Sequence, residues 1–299
     1  MDYYFHAGTA SEILDAARNG AVSVTVSLDL NLSERAWRIT PDGLVLSEAA
    51  GGCDAVTIPL ADLESVAGAG NKVFRFDGND MVPVEVRAGG YYKMVPTPSV
   101  PTLEINGVKM HRSKDIDPLE DARLKTELTV RGGDRVLDTC GGLGYSAIFA
   151  VKAGAGQVVS FEKSPAVLEI RAQNPWIRAG AFDWFTPEAA GRITLTRGDV
   201  NREIKGLADG SVDAVIHDPP RFTSATGDLY GRAFYTQLAR VMTPGARLFH
   251  YTGSPGKIVR QDRFIQNTMR RLEAAGFGRV SFNDRLQGIY AEKMKRIQP

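Results

Sequence analysis

The chain has 299 residues, 43% of them hydrophobic and 24% charged, with a formal net charge of +1. That length holds one large domain or two ordinary ones, and the composition is that of a soluble globular protein with no long uncharged apolar run to cross a membrane. Two cysteines, Cys53 and Cys140, do not support a disulfide scaffold or a zinc cluster. With no signal peptide legible at Met1-Asp2-Tyr3-Tyr4, they point to a reducing cytoplasm.

The first hundred residues read as a small β-rich domain. A short helix over Ala10 to Arg18 precedes Val22 to Leu30, where apolar and polar residues alternate at period two, as in a half-buried strand. Further strands are predicted at Ala36 to Ile39, Leu44 to Leu46, Lys72 to Arg75 and Val82 to Arg87. Pro41-Asp42-Gly43, Asp77-Gly78-Asn79 and Gly89-Gly90 mark turns between them. No motif here carries chemistry. Tyr91 to Pro98, stiffened by prolines, reads as a crossing between domains, followed by a linker and cofactor-side loop over 101–114. Tyr91 and Tyr92 serve either as core or as lining for an acceptor pocket.

His111, Arg112 and Lys114 cluster just ahead of a helix start. Asp117 suits the N-cap, Pro118 the first helical position, and Glu120 completes a capping box, so a helix is expected to about Val130. From residue 115 to the end, strand and helix alternate. Strands are predicted at Arg135 to Asp138, Gln157 to Glu162, Ile193 to Arg197, Ala214 to His217 and Arg247 to Tyr251. Helices are predicted at Tyr145 to Lys152, Pro165 to Gln173, Ala233 to Val241 and Arg263 to Ala275. Such alternation builds an α/β parallel sheet covered on both faces. The end, Arg279 to about Glu292, reads as an antiparallel hairpin turning at Leu286-Gln287-Gly288.

Four strands of this half deliver an acid at the carboxyl end, where ligands bind in open α/β sheets. Val136-Leu137-Asp138 runs into the turn Thr139-Cys140-Gly141-Gly142-Leu143-Gly144, whose glycines allow the backbone close to a ligand. The second strand ends in Glu162, which can take both hydroxyls of a ribose. The third ends in Gly198-Asp199, and the fourth in His217-Asp218-Pro219-Pro220-Arg221-Phe222.

On these residues the segment from Asp115 to Lys293 resembles the class I S-adenosylmethionine-dependent methyltransferases. It is most similar to a group of archaeal members of unassigned substrate, which carry an Asp-Thr-Cys-x-Gly-Leu-Gly-Tyr turn and a His-Asp-Pro-Pro-Arg-Phe loop. The resemblance implies a Rossmann-like sheet closed by the hairpin, with S-adenosylmethionine as cofactor and no metal. It implies that Asp138, Thr139, Cys140 and the turn from Gly142 to Gly144 face the methionine part. Glu162, with Lys163 beside it, would hold the ribose. Asp199 would meet the adenine amino group, with Val200 against the ring. Asp218 to Phe222 would form the wall where cofactor and acceptor meet, and the segment around His111 would close over the cofactor or remain a polar loop.

Two departures matter. Cys140 replaces the first glycine of the usual turn, and Ala147 stands where a dinucleotide fingerprint has its third glycine or alanine, which weakens a nicotinamide reading without removing it. Arg221 separates Pro-Pro from the aromatic Phe222 and leaves the acceptor class open. Methyl transfer is an in-line displacement that needs alignment above all. Asp218, Pro219 and Pro220 offer a carboxylate and carbonyls without ladder donors, suited to aim an acceptor nitrogen. Phe222 would stack on a flat acceptor or cover the sulfonium, and Arg221 would bind an acceptor carboxylate or phosphate; the plain alternative is a rigid turn. His217 and His250 are either structural or include a general base. The loop Thr223 to Gly231 is a candidate lid. Attack by cysteine on a cytosine ring is disfavoured, since neither the Asp218 loop nor Tyr251 to Ser254 contains one.

Two other readings stay open. One is an aminopropyl transferase using the decarboxylated cofactor, though its Gly-Gly-Gly-Asp-Gly signature is absent. The other is a nucleic-acid module with a vestigial site. From Lys257 to Pro299 ten Lys or Arg stand against four acids. That is either a solvated face or a surface for RNA or another phosphate-bearing partner.

Overall fold

The computed structural model describes residues 2–46, 56–253 and 259–295, so Cys53, Ser254 and Lys257 lie outside the described residues. The chain forms two compact units. The first comprises Met1–Pro118 together with Ala172–Trp176, and the second Leu119–Arg171 and Ile177–Pro299.

Among the described residues the first unit holds three small antiparallel sheets and two helices. Its helix Ala7–Arg18 begins three residues earlier than expected because the His6 ring caps it, accepting the amides of Gly8 and Thr9. Phe5, Ile13, Leu44, Ile58 and Leu63 are fully buried in one cluster. Tyr91–Val95 is no crossing but an inner strand, paired with Glu85–Arg87 on one side and Thr102–Ile105 on the other. Thr102–Ile105 and Val108–Lys109 also fall within the expected linker, so residues 101–109 are sheet. None of these strands alternates in burial, and the prolines at 96, 98 and 101 stand in the connection between Tyr91–Val95 and Thr102–Ile105, outside the paired positions. The Tyr91 hydroxyl donates to Glu85 at 2.5 Å, and the Arg87 guanidinium sits 4.4 Å from its ring centre.

The second unit follows the alternating pattern closely. Its elements are α1 (Pro118–Thr129), β1 (Arg135–Asp138), α2 (Tyr145–Lys152), β2 (Gln157–Glu162), α3 (Pro165–Arg171), β3 (Ile193–Arg197), β4 (Val212–His217), α4 (Arg232–Val241), β5 (Met242–Tyr251), α5 (Val259–Ala274), β6 (Phe277–Asn283) and β7 (Gly288–Lys293). The seven strands lie in the order β3-β2-β1-β4-β5-β7-β6. β1 to β5 are parallel, while β7 runs antiparallel to both β5 and β6. Leu137, Val215, Leu248 and Ile289 bury one face of neighbouring strands against Phe234 and Leu238 of α4 and Leu272 of α5. The chain leaves β1 toward β2 and β3 in one direction, then returns to β4 and β5 in the other. This reversal makes the carboxyl ends of β1 and β4 a topological switch point, where the loops diverge and leave a crevice.

Candidate functional site

Register sets the site. Asp138 pairs with Ser160 on β2 and with Ile216 on β4, so the glycine turn and the Asp218 loop leave the sheet side by side. They are joined beneath the crevice: the Thr139 hydroxyl lies 2.7 Å from His217 Nδ1, and the Thr139 amide donates to the Ile216 carbonyl at 3.1 Å. His217 Nε2 in turn lies 2.9 Å from the Leu229 carbonyl. A carbonyl only accepts, so Nε2 carries the proton and Nδ1 accepts from Thr139. His217 is fully buried, and burial pushes its pKa down to about 4. With both nitrogens engaged, it is placed to hold the loop, not to exchange a proton with an acceptor. His250, its register partner on β5, sits 4.4 Å away ring to ring and meets the Tyr235 hydroxyl at 2.8 Å.

Asp138 is fully buried. One oxygen accepts from Ser160 Oγ at 2.8 Å, while Oδ1 has no partner. Burial pushes its pKa up to about 6; Ser160 and Arg171 pull against this, and Asp218 and Glu162 add to it. Glu162 accepts the Gly142 amide at 3.0 Å and the Ser164 amide at 2.8 Å, one on each oxygen. It is half-buried, and burial raises its pKa against the pull of those two amides. Each oxygen keeps a second lone-pair direction for a ligand hydroxyl. Asp199 caps the one-turn helix Val200–Glu203 through the Asn201 amide at 3.1 Å, and Lys163 reaches its other oxygen at 2.8 Å. Burial works to raise Asp199, but Lys163 and that amide hold it below the usual carboxylate range. Val200 is buried. Cys140 is half-buried, and burial pushes its thiol up, so it stays a thiol.

The glycines behave differently from expectation. Gly142 and Gly144 have φ of 48° and 97°, as such a turn requires. Yet the space where a Cβ would stand at Gly141 is taken by Ser160 Oγ at 2.2 Å and Arg171 Nη1 at 2.9 Å. At Gly144 it is taken by Arg171 Cζ and Ile177 Cγ2, both at 3.0 Å. At these two positions the absent side chains make room for the protein itself.

The Asp218 loop is braced from two sides. Lys125 on α1, only 3% exposed, places Nζ 2.7 Å from Asp218 Oδ2 and 2.5 Å from Asp121 Oδ2. Burial would lower this lysine, but Asp218 and Asp121 outweigh it and hold it above its ordinary value. Pro219 is buried and Pro220 exposed, and the Pro220 carbonyl accepts from the Tyr230 hydroxyl at 2.9 Å. Phe222 is 53% exposed and leans edge-on against Tyr230 and on Phe264 of α5. Arg221 is exposed, and its carbonyl accepts from Thr226. In the candidate lid, Gly227–Tyr230 forms a single helical turn.

Lys125 and Arg171 were not singled out in the sequence. A lysine four residues after an aspartate reads as an exposed helix pair, and an arginine at a helix end reads as a favourable dipole contact. Among the described residues no group of three or more His, Cys, Asp or Glu could hold a metal, and no helix is long and apolar enough to cross a membrane.

This sheet order, with its loops converging at the switch point, is a Rossmann-like fold. The spermidine synthase of Thermotoga maritima shares it with a TM-score of 0.52 at 14% identity, over 72% of this chain and 73% of that one. A spermidine synthase in complex with the transition state analogue AdoDATO gives 0.52 at 15% identity, over 72% and 74%. At such identities the likeness speaks for the fold alone. No protein-family model matches the chain. Over 291 residues it is 36% identical to MJ1233 of Methanocaldococcus jannaschii, an uncharacterized protein, covering 97% of this chain and 95% of that one. The chain belongs to the family of MJ1233.

Proposed function

We propose that this protein is an S-adenosylmethionine-dependent methyltransferase acting on a nitrogen held by the Asp218-Pro219-Pro220 loop. The observation that carries the reading is the pairing of two loops at one switch point. One offers a positive-φ glycine turn beside Asp138 and Glu162, and the other a braced carboxylate and rigid carbonyls. The donor set fits the cofactor. Glu162 keeps acceptor capacity for ribose hydroxyls, the partnerless Asp138 Oδ1 suits an ammonium, and Asp199 stands at the end of β3 for an adenine amine.

When bound, S-adenosylmethionine supplies a methyl group on a sulfonium, already a strong donor. The chain's task is then alignment and exclusion of water. Lys125 takes one oxygen of Asp218 and fixes the carboxylate, leaving the other to accept an N–H from the acceptor. The Asp218 and Pro219 carbonyls lie past the end of β4 and add acceptors, and the prolines that follow them fix the backbone. Together they turn a nitrogen lone pair toward the donor. Phe222 presents a ring face to a flat acceptor, and Arg221 a cation to an acidic group on it.

The basic C-terminal segment is the candidate surface for RNA or another phosphate-bearing partner. Several of its cations are already engaged, however: Arg279 with Glu292 at 3.1 Å, Arg285 with Glu120 at 3.5 Å, and Arg271 with the Tyr230 carbonyl at 3.3 Å.

Calorimetric titration tests the reading. S-Adenosylmethionine and S-adenosylhomocysteine are expected to bind the wild type, and Glu162→Ala to weaken both by about tenfold or more, the worth of a hydrogen bond to a charged group. Preference for the decarboxylated cofactor would replace this reading with aminopropyl transfer. Absence of binding to any of the three would overturn it.

A further inference from the structure

Arg171 is the last residue of α3 and is 5% exposed. Its Nη1 donates to the carbonyls of Gly141 and Gly142, both at 3.3 Å. The same nitrogen lies 2.9 Å from the point a Gly141 Cβ would occupy, while Cζ and Nη2 lie 3.0 Å from the point a Gly144 Cβ would occupy. The guanidinium thus runs along the inner side of the turn from Gly141 to Gly144, filling the room those glycines leave. Asp138 Oδ2 is 3.3 Å from that same Gly141 point, so the arginine and the buried aspartate converge behind the turn. Asp138 and Glu162 are the two acids whose charge acts on Arg171, and Arg171 acts on both in return.

A buried guanidinium is costly unless hydrogen-bonded and paired, and an arginine does not shed its proton to escape that cost. Leucine or methionine would fill the same volume without the penalty. The geometry therefore asks what the charge does. Two carboxylates stand at adjoining strand ends, one fully buried and one half-buried. Unopposed, like charges so placed would push a proton onto one of them.

We propose that Arg171 is a positioning residue of the cofactor site: it holds the glycine turn by the carbonyls of Gly141 and Gly142, and its fixed charge lets Asp138 and Glu162 meet the cofactor together as anions. This rests on the cofactor reading above. The glycines at 141 and 144 are, on this account, shaped to the arginine, and the turn and the two acids form one unit with it. Arg171 itself touches no ligand.

The test is calorimetric titration of S-adenosylhomocysteine into wild type, Arg171→Met and Arg171→Lys, from about pH 8 to about pH 5.5, with thermal unfolding recorded alongside. The groups that face Asp138 are Ser160 and Glu162 of β2, Arg171 of α3 and Asp218 after β4. Wild-type binding is expected to fade as pH falls through the aspartate's value of about 6. Arg171→Met removes the opposing cation. Binding near neutral pH should weaken about tenfold, and the pH of half-loss should move upward. Arg171→Lys keeps the charge without the fork that reaches both carbonyls, so the half-loss pH should return close to wild type while affinity stays reduced.

Filling of space alone would weaken both variants alike at an unchanged half-loss pH, and that result overturns the proposal. So does Arg171→Met binding as the wild type does. If Arg171→Met fails to fold, Arg171→Gln, which also removes the charge, takes its place: a raised half-loss pH with reduced affinity upholds the proposal, and an unchanged half-loss pH overturns it. Failure of the wild type to bind any form of the cofactor would instead overturn the cofactor reading, and this proposal with it.

Discussion

Lys125 shows how much of the site hangs on single side chains. It is the shared partner of Asp121 and Asp218, and its Nζ also lies 4.5 Å from the centre of the Tyr251 ring. Lys125→Met keeps the apolar stem but strands two carboxylates. A loss of about 3–5 kcal/mol is expected, the usual result of breaking one side of a buried pair. Urea unfolding would measure it, and adding Asp121→Asn to the variant should recover part. Gly141→Ala is expected to cost about 1–3 kcal/mol, since its Cβ would have to displace Ser160 and Arg171. The acids of the site could be read from the sequence because each ends a strand. Their cations could not: Lys125 meets Asp218 across 93 positions, and only the fold brings them together.

At the scale of elements, β4 and β5 carry His217 and His250 in register, both fully buried and both held neutral. Burial lowers each, His217 to about 4. A histidine with a lowered folded pKa leaves the unfolded chain binding more protons below its ordinary value of 6.5. Stability is therefore present near neutrality and is lost as pH falls toward 4. Each such group contributes up to about 1.4 kcal/mol per pH unit. Asp138 works in the opposite sense: its folded pKa of about 6 exceeds the ordinary 3.8, so protonating it favours the folded state over the same window. Glu162, also raised by burial, adds to Asp138, so the acids offset the histidines in the wild type. Asp138→Asn removes part of that offset, and its thermal midpoint should fall more steeply than the wild type's between about pH 6.5 and 4.5, as circular dichroism melts would show. An unchanged slope in that variant would contradict the offset. The strand ends that carry these groups were legible as apolar runs. The function of the histidines was not, because their tautomers follow from partners on other elements.

Over the molecule as a whole, the second unit was largely legible. Alternation of period predicted its main strands and helices, with β5 starting five residues before the expected Arg247 and the short helices Pro187–Ala190 and Val200–Glu203 not anticipated, and the closing hairpin appears where expected. The reversal of strand order was not legible, since no local pattern encodes which neighbour a strand takes. The first unit was read less well. Its short strands carry little periodic signal, and the helix Leu60–Ala67 starts without a side-chain cap to mark it. Least legible was the return of Ala172–Trp176 to the first unit. There Asn174 is fully buried, Trp176 Nε1 donates to the Leu30 carbonyl at 2.8 Å, and the Tyr4 hydroxyl donates to the Gln173 carbonyl at 2.6 Å. Trp176→Ala is expected to cost about 3–5 kcal/mol. Hydrogen exchange should show protection lost first around Tyr4 and Leu30, although the substitution lies far along the chain.

That return also fixes an order of events during synthesis. Domains tend to fold as units from the amino terminus while the chain is still emerging. Here the amino-terminal unit waits for a stretch made long after its own last strand. Tyr4 and Leu30 find their partners only once Gln173 and Trp176 have left the ribosome. By then β1, the glycine turn and Glu162 are already outside. The first core is therefore completed only after synthesis of the second has begun, and a nascent chain halted short of Trp176 would expose an unfinished first unit to chaperones and proteases.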